Sequence, residues 1–145
     1  DTAIRETVEE LGIDPGDIII EGHLGTLVAA MGAIVDVYVG RILLDGIDKF
    51  NINIDEVENV FTVPANEFAK MESEAYQVWL EINPQFKNAK GEEVEFSAKE
   101  LGIPERYNGK WGGRSHDIYF YRIGHEVIWG LTAEIIRDML ELASG

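Results

Sequence analysis

The sequence predicts an α/β domain, and three observations carry that expectation. An amphipathic helix opens the chain, the middle holds β-branched and aromatic stretches broken by glycine, and a second amphipathic helix closes it. With 145 residues, 46% of them hydrophobic and 10% aromatic, one domain has enough apolar side chain to build a core.

From Thr2 to Leu11 the apolar Ile4, Val8 and Leu11 recur at spacings of four and three, which places them on one side of a helix; Gly12 is its natural stop. Ile18 to Ile20, Leu24 to Val28 and Ala33 to Leu44 read as strands between glycine turns, the second and third forming a hairpin. Asn53 to Val63 starts polar and ends in Val60-Phe61-Thr62-Val63 before Pro64, so a short strand closed by proline is expected. A short helix or loop follows over residues 66–74. Tyr76 to Ile82 alternates and is expected to pair, across a turn with Asn88 and Gly91, with Glu92 to Phe96. Ser97 and Glu100 form a capping box for one helical turn ending near Gly102, and Pro104 to Arg114 reads as a loop. Asp117 to Ile123 and Glu126 to Trp129 are the last strand pair, turning at Gly124-His125. Thr132 caps a final helix whose buried stripe is Ile135, Ile136, Met139 and Leu140, with Trp129 as a core residue covering it.

Composition narrows the function. The longest apolar stretches are interrupted by Gly32, Asp36 and Arg41, so no membrane span is expected. Without cysteine there is no disulfide, zinc–thiolate site or thiol catalysis; a cytoplasmic location fits, and any metal must use carboxylate or imidazole. A formal charge of −15 opposes a phosphate-binding face for nucleic acid. It also repels small anions, unless clustered carboxylates recruit divalent cations and reverse the local sign. The chain begins at Asp1, at or just inside a helix and without a cap, as a fragment of a longer domain would.

Glu6, Glu9 and Glu10 supply such a cluster. At i, i+3 and i+4 they share one helical face, opposite Ile4, Val8 and Leu11. Carboxylates about 6 Å apart repel by roughly 3 kcal/mol per pair at an effective dielectric of ~20. Mg²⁺ takes one or two carboxylates and completes its shell with water and substrate phosphate, so such a face suits it. Three helical glutamates with Arg5 bonded to Glu9 are also what an ordinary solvated acidic face looks like.

The whole string decides between these. Arg5-Glu6-Thr7-Val8-Glu9-Glu10-Leu11-Gly12-Ile13 resembles the end of the signature of the Nudix hydrolases, which reads Arg-Glu, aliphatic, any, Glu-Glu, any, Gly, aliphatic. Only Thr7 departs, mildly, at an aliphatic place. At ~5 to 7% usage per residue type, five fixed positions match by chance somewhere in the chain at roughly one in ten thousand. The resemblance implies an α/β/α sandwich around a mixed β-sheet, its first strands and the earlier half of the metal motif lying before Asp1. It implies Mg²⁺ or Mn²⁺ as cofactor and Glu9 and Glu10 as the main ligands. Glu6 would be a further ligand or water-positioning group, and Arg5 would orient a glutamate.

Three further pieces resemble the coenzyme A pyrophosphatase branch of that family: Gly25-Thr26-Leu27-Val28, Asp55 to Pro64, and best of all Ile128-Trp129-Gly130-Leu131-Thr132-Ala133-Glu134-Ile135-Ile136. The stretch from Glu81 to Arg114 is longer than the branch usually has. The resemblance implies attack of water on a diphosphate, splitting coenzyme A to 3′,5′-adenosine diphosphate and 4′-phosphopantetheine. A general base would come from a mobile acidic residue such as Glu72 or Glu74, though an ordinary surface role accounts for either one more readily. Arg106, Tyr107 and Arg114, with Lys110, Trp111 and His116, have the chemistry to stack on adenine and hold a 3′-phosphate, though an ordinary loop with scattered charge has the same composition. His23 and His125 read as turn residues. The partner expected is a small-molecule diphosphate, with a homodimer as the assembly. The alternatives are hydrolysis of another nucleoside diphosphate derivative such as ADP-ribose, and a Nudix-fold domain that only binds.

Overall fold

The structure, a computed structural model, describes residues 2–30 and 32–144. They fall into two units, one of residues Asp1–Glu72 with Ile135–Gly145 and one of residues Ser73–Glu134.

In the first unit α1 (Thr2–Leu11) forms where the apolar spacing predicts it. Gly12 ends it with a left-handed φ of 61° and donates its N–H to the carbonyl of Val8 at 2.9 Å. The helix end is clamped by a later segment: the N–H of Asn51 reaches the carbonyl of Leu11 at 3.0 Å and that of Asn53 the carbonyl of Glu10 at 2.9 Å. Ile13, the next residue, is only 6% exposed. After a 3₁₀ turn at Pro15–Asp17, capped by the carboxylate of Asp14, β1 runs unbroken over Ile18–Val28. It pairs antiparallel with β2 (Ile34–Ile42), from Ile18↔Ile42 to Val28↔Ile34. The expected interval between two short strands does not exist. Register shifts between Ile20 and Gly22 and between His23 and Gly25 absorb the extra residues as bulges, so one strand continues through both. Val60 to Val63 is no strand: a strand needs a partner, and none pairs with it among the described residues. After Pro64 comes α2 (Ala65–Phe68), where a short helix or loop is expected over residues 66–74.

In the second unit β3 (Glu74–Ile82), β6 (Trp111–Ile123) and β7 (Glu126–Trp129) form an antiparallel sheet in the order β3-β6-β7. The expected pairing of β3 with Glu92 to Phe96 is replaced by pairing with β6, from Glu74↔Phe120 to Ile82↔Trp111. Length explains the choice, because a nine-residue strand can pair one edge along its length against thirteen residues and not against three. The Asn88 and Gly91 turn does form, but it joins β4 (Gln85–Lys87) to β5 (Glu93–Glu95). The capping box survives as one weak bond, Glu100 N–H to Ser97 Oγ at 3.5 Å, at the head of turns rather than a helix. The expected loop at 104–114 contains a 3₁₀ turn, Glu105–Asn108, and the start of β6.

The turn at Gly124 and the pairing Ile123↔Glu126 are as expected. The final helix α3 (Gly130–Ser144) starts two residues before Thr132, which therefore lies inside its first turn and does not cap it. Ile135, Ile136, Met139 and Leu140 are half-buried. Trp129 is not a core residue: it is 61% exposed, its ring stacked on Phe120 at 6.1 Å. The helices and strands thus give the α/β content expected. The strands of the described residues make three separate antiparallel sheets and no parallel pair, so a single mixed sheet is not formed by them. No helix among the described residues is long and apolar enough to cross a membrane.

Candidate functional site

The exposed face of α1 carries Glu6, Glu9 and Glu10. Arg5 reaches across it: Nη1 donates to Glu9 Oε2 and Nη2 to Glu6 Oε1, each at 2.6 Å. One guanidinium therefore bonds two carboxylates, a contact that a glutamate-orienting arginine and an ordinary solvated acidic face both make. The pairing, led by the bond to Glu9, raises the Arg5 pKa above its ordinary value. Glu10 makes no ion pair among the described residues, but its carbonyl is the one held by Asn53. Thr7 turns its hydroxyl back onto the carbonyl of Ala3 at 2.8 Å, so a polar side chain at an aliphatic place leaves no donor unmet.

Gly12 is dictated by this arrangement. A Cβ there would lie 1.9 Å from the carbonyl oxygen of Asn51, and the residue is already left-handed. The acidic face thus ends at a tight helix–segment contact that tolerates no side chain. Residues 51 and 53 were not singled out from sequence, since their contribution is made by backbone N–H and carbonyl groups that every residue type has.

The donor set fits a hard divalent cation in its chemistry. The three side chains offer only oxygen, and two of them already converge on one cationic group. Among the described residues, however, no three His, Asp or Glu side chains are gathered as a metal cage. An ion at this face would compete with Arg5 for Glu6 and Glu9.

Of the two acids considered as bases, Glu74 lies on β3 in the second unit. It accepts from Arg122 Nε at 2.8 Å and from Tyr76 Oη at 2.9 Å. Those bonds, Arg122's first, hold its carboxyl below the usual range, which makes it a poor proton acceptor at neutral pH. Glu72 is exposed, in the first unit.

The nucleotide-binding candidates all belong to the second unit. The guanidinium of Arg106 lies 4.9 Å from the centre of the Tyr107 ring and donates to its hydroxyl at 3.2 Å. Tyr107 meets Trp111 edge-on at 5.5 Å, Trp111 packs on Phe96, and Lys110 is paired with Glu81. Arg114 stands on β6 opposite Leu80, and His116 opposite Val78. Arg106, Tyr107 and Trp111 are therefore brought together, whereas Arg114 is placed by the sheet. His23 is a strand residue, stacked on Tyr38 at 4.8 Å and 3.7 Å from a carboxylate oxygen of Asp36; His125 sits in the turn expected for it.

Scanned against models of protein families, the chain matches none. Individual proteins to which it is similar are named as Nudix hydrolases. It is 29% identical over 140 residues to the uncharacterized Nudix hydrolase NudL of Photorhabdus laumondii, an alignment covering 97% of this chain and 58% of that protein. With the protein of the same name in Yersinia enterocolitica it shares 29% over 141 residues, 97% of this chain and 56% of the relative. Nudix hydrolase 3 of Caenorhabditis elegans is 36% identical over 72 residues, 48% of this chain and 30% of that protein. The chain spans a little over half the length of the two bacterial relatives. At modest identity, these names support the Nudix reading of Arg5 to Ile13.

Proposed function

We propose that this chain works in a metal-dependent Nudix hydrolase that cleaves the diphosphate of coenzyme A or a derivative to 3′,5′-adenosine diphosphate and 4′-phosphopantetheine. The observation that carries the reading is the acidic face of α1, where Arg5 draws Glu6 and Glu9 together beside a helix end that only glycine can close. The names of the relatives support the reaction class, and the Asp55 to Pro64 and Ile128 to Ile136 resemblances support the substrate.

On this reading Glu9 and Glu10 hold the cation and Glu6 holds a further site or a water, with Arg5 keeping the unloaded carboxylates from repelling one another. Bound there, Mg²⁺ or Mn²⁺ would neutralise charge developing on the diphosphate and acidify a water. Arg106, Tyr107 and Arg114 bind the nucleotide by stacking and phosphate pairing. An α/β/α sandwich around a mixed sheet is the proposed architecture, and the cytoplasm the proposed compartment, which the absence of cysteine fits.

The test uses the natural protein carrying these residues, with Mg²⁺ and coenzyme A, reading 3′,5′-adenosine diphosphate. Turnover is expected to stop on chelation and to fall about 10²-fold or more in Glu9→Gln. Hydrolysis of ADP-ribose but not coenzyme A would move the substrate to the alternative. Turnover indifferent to chelation and to Glu9→Gln would sink the metal-helix reading.

A further inference from the structure

Glu9 and Glu10 sit where a helix holds its residues least firmly. α1 has ten residues, below the length at which a helix stands alone in water, and none of them is fully buried. Both glutamates lie in its last turn, where the helix dipole presents its negative end and no basic residue offsets it. Arg5, which bonds Glu9, lies one turn earlier, and Glu10 makes no ion pair among the described residues. Repulsion between the two carboxylates adds to the dipole, so the turn that carries them is the one that tends to unwind.

What opposes unwinding comes from a distant segment of the same unit. A helix end leaves its last four carbonyls without partners inside the helix. Here that of Val8 meets the N–H of Gly12 at 2.9 Å, that of Leu11 the N–H of Asn51 at 3.0 Å and that of Glu10 the N–H of Asn53 at 2.9 Å. The donors are themselves fixed. The carbonyl of Asn53 accepts from the N–H of Val57 at 2.8 Å and of Glu56 at 3.0 Å, and its side-chain oxygen accepts from the N–H of Asp55 at 3.3 Å. The carbonyl oxygen of Asn51 fills the place where a side chain on residue 12 would lie. Asn53 thus belongs to two structures at once, the last turn of α1 and the turn over residues 53–57.

With the last turn unwound, Glu9 and Glu10 lose their fixed spacing from each other and from Glu6. A cation that takes oxygens from more than one side chain then has to restore that spacing at the cost of its own affinity.

We infer that the segment 51–53 is a positioning element for the metal ligands, with Asn53 as its central residue: its N–H groups hold the last turn of α1 wound, so that closing the clamp and binding a divalent cation favour one another. This rests on the metal reading of Glu9 and Glu10 and adds to it a contact outside the motif from Arg5 to Ile13. The coupling is reciprocal, so a clamp that raises cation affinity is tightened by the cation to the same degree.

The test is amide hydrogen exchange of Asn51 and Asn53 in the natural protein, with and without Mg²⁺. At Mg²⁺ about 100 times its Kd, both N–H groups are expected to exchange at least about tenfold more slowly, while the N–H of Phe96, bonded to the Pro84 carbonyl in the second unit, keeps its rate. Asn53→Pro, which removes the donor, is expected to weaken Mn²⁺ binding at least about tenfold, read as free Mn²⁺ by electron paramagnetic resonance; Asn53→Ala, which retains the donor, recovers the greater part of that affinity. Unchanged exchange at Asn53 under Mg²⁺ that shifts the Glu9 and Glu10 amide resonances would overturn the coupling and leave the metal reading standing. Mg²⁺ that moves no resonance of α1 would sink both. Equal Mn²⁺ affinity in folded Asn53→Pro and Asn53→Ala proteins would overturn the coupling too, and the exchange measurement decides alone should Asn53→Pro fail to fold.

Discussion

The helix end at Leu11 to Ile13 and the excursion at residues 82–111 solve opposite problems. At the first, repelling carboxylates are held on one helical face by an arginine within the same turn, and the helix is anchored by a backbone clamp from Asn51 and Asn53. At the second, charge is balanced residue by residue, and aromatic rings gather around a pocket. Electrostatic devices are built from neighbours in sequence because a helix brings i, i+3 and i+4 together without help. An apolar pocket needs residues that only strand pairing can bring together.

The comparison breaks most decisively at Gly12. Gly12→Ala is expected to cost about 3 kcal/mol or more, combining roughly 1 to 2 for a left-handed non-glycine residue with roughly 1 to 3 for overpacking against Asn51. Urea denaturation measures it, and a loss under about 1 kcal/mol would show that the clamp yields. In the second unit the matching contact is looser. A Cβ on Gly113 would sit 2.4 Å from the Trp79 ring, but that indole is 64% exposed and can swing aside. Gly113→Ala should therefore cost only about 1 kcal/mol while shifting tryptophan fluorescence. An unchanged emission spectrum would show that Trp79 does not move.

The smallest effect is electrostatic. Glu74 is held below the ordinary carboxylate range chiefly by Arg122, so the unfolded chain binds this proton more readily. The stabilisation from this pair is fully present above the unfolded carboxylate pKa of about 4.3 and drains away as pH falls through the lower folded value. Arg122→Gln should flatten that acid-side fall in thermal stability and change little at neutral pH; a steeper fall would reverse the assignment.

Much of this was legible along the chain. The helix at Thr2–Leu11, its glycine stop, the last strand pair and the Asn88 and Gly91 turn follow from periodicity and turn chemistry, which act over a few residues. The misreadings share one cause. Val60 to Val63 has strand composition but gains no partner, and β3 had a near candidate in Glu92 to Phe96 but pairs with β6. Trp129, apolar enough for a core, instead stacks in the open on Phe120.

Sequence alone determined the acidic face of α1 and its resemblance to the Nudix motif, because both reside in nine consecutive residues whose relative positions the helix sets. Only the tertiary structure decided that Asn51 presses on Gly12, that β3 lies against β6, and that Phe86, Phe96 and Trp111 share one pocket. Those contacts join backbone and side chains far apart in the chain, and local preference does not encode which distant partner wins the competition for hydrogen bonds and apolar surface.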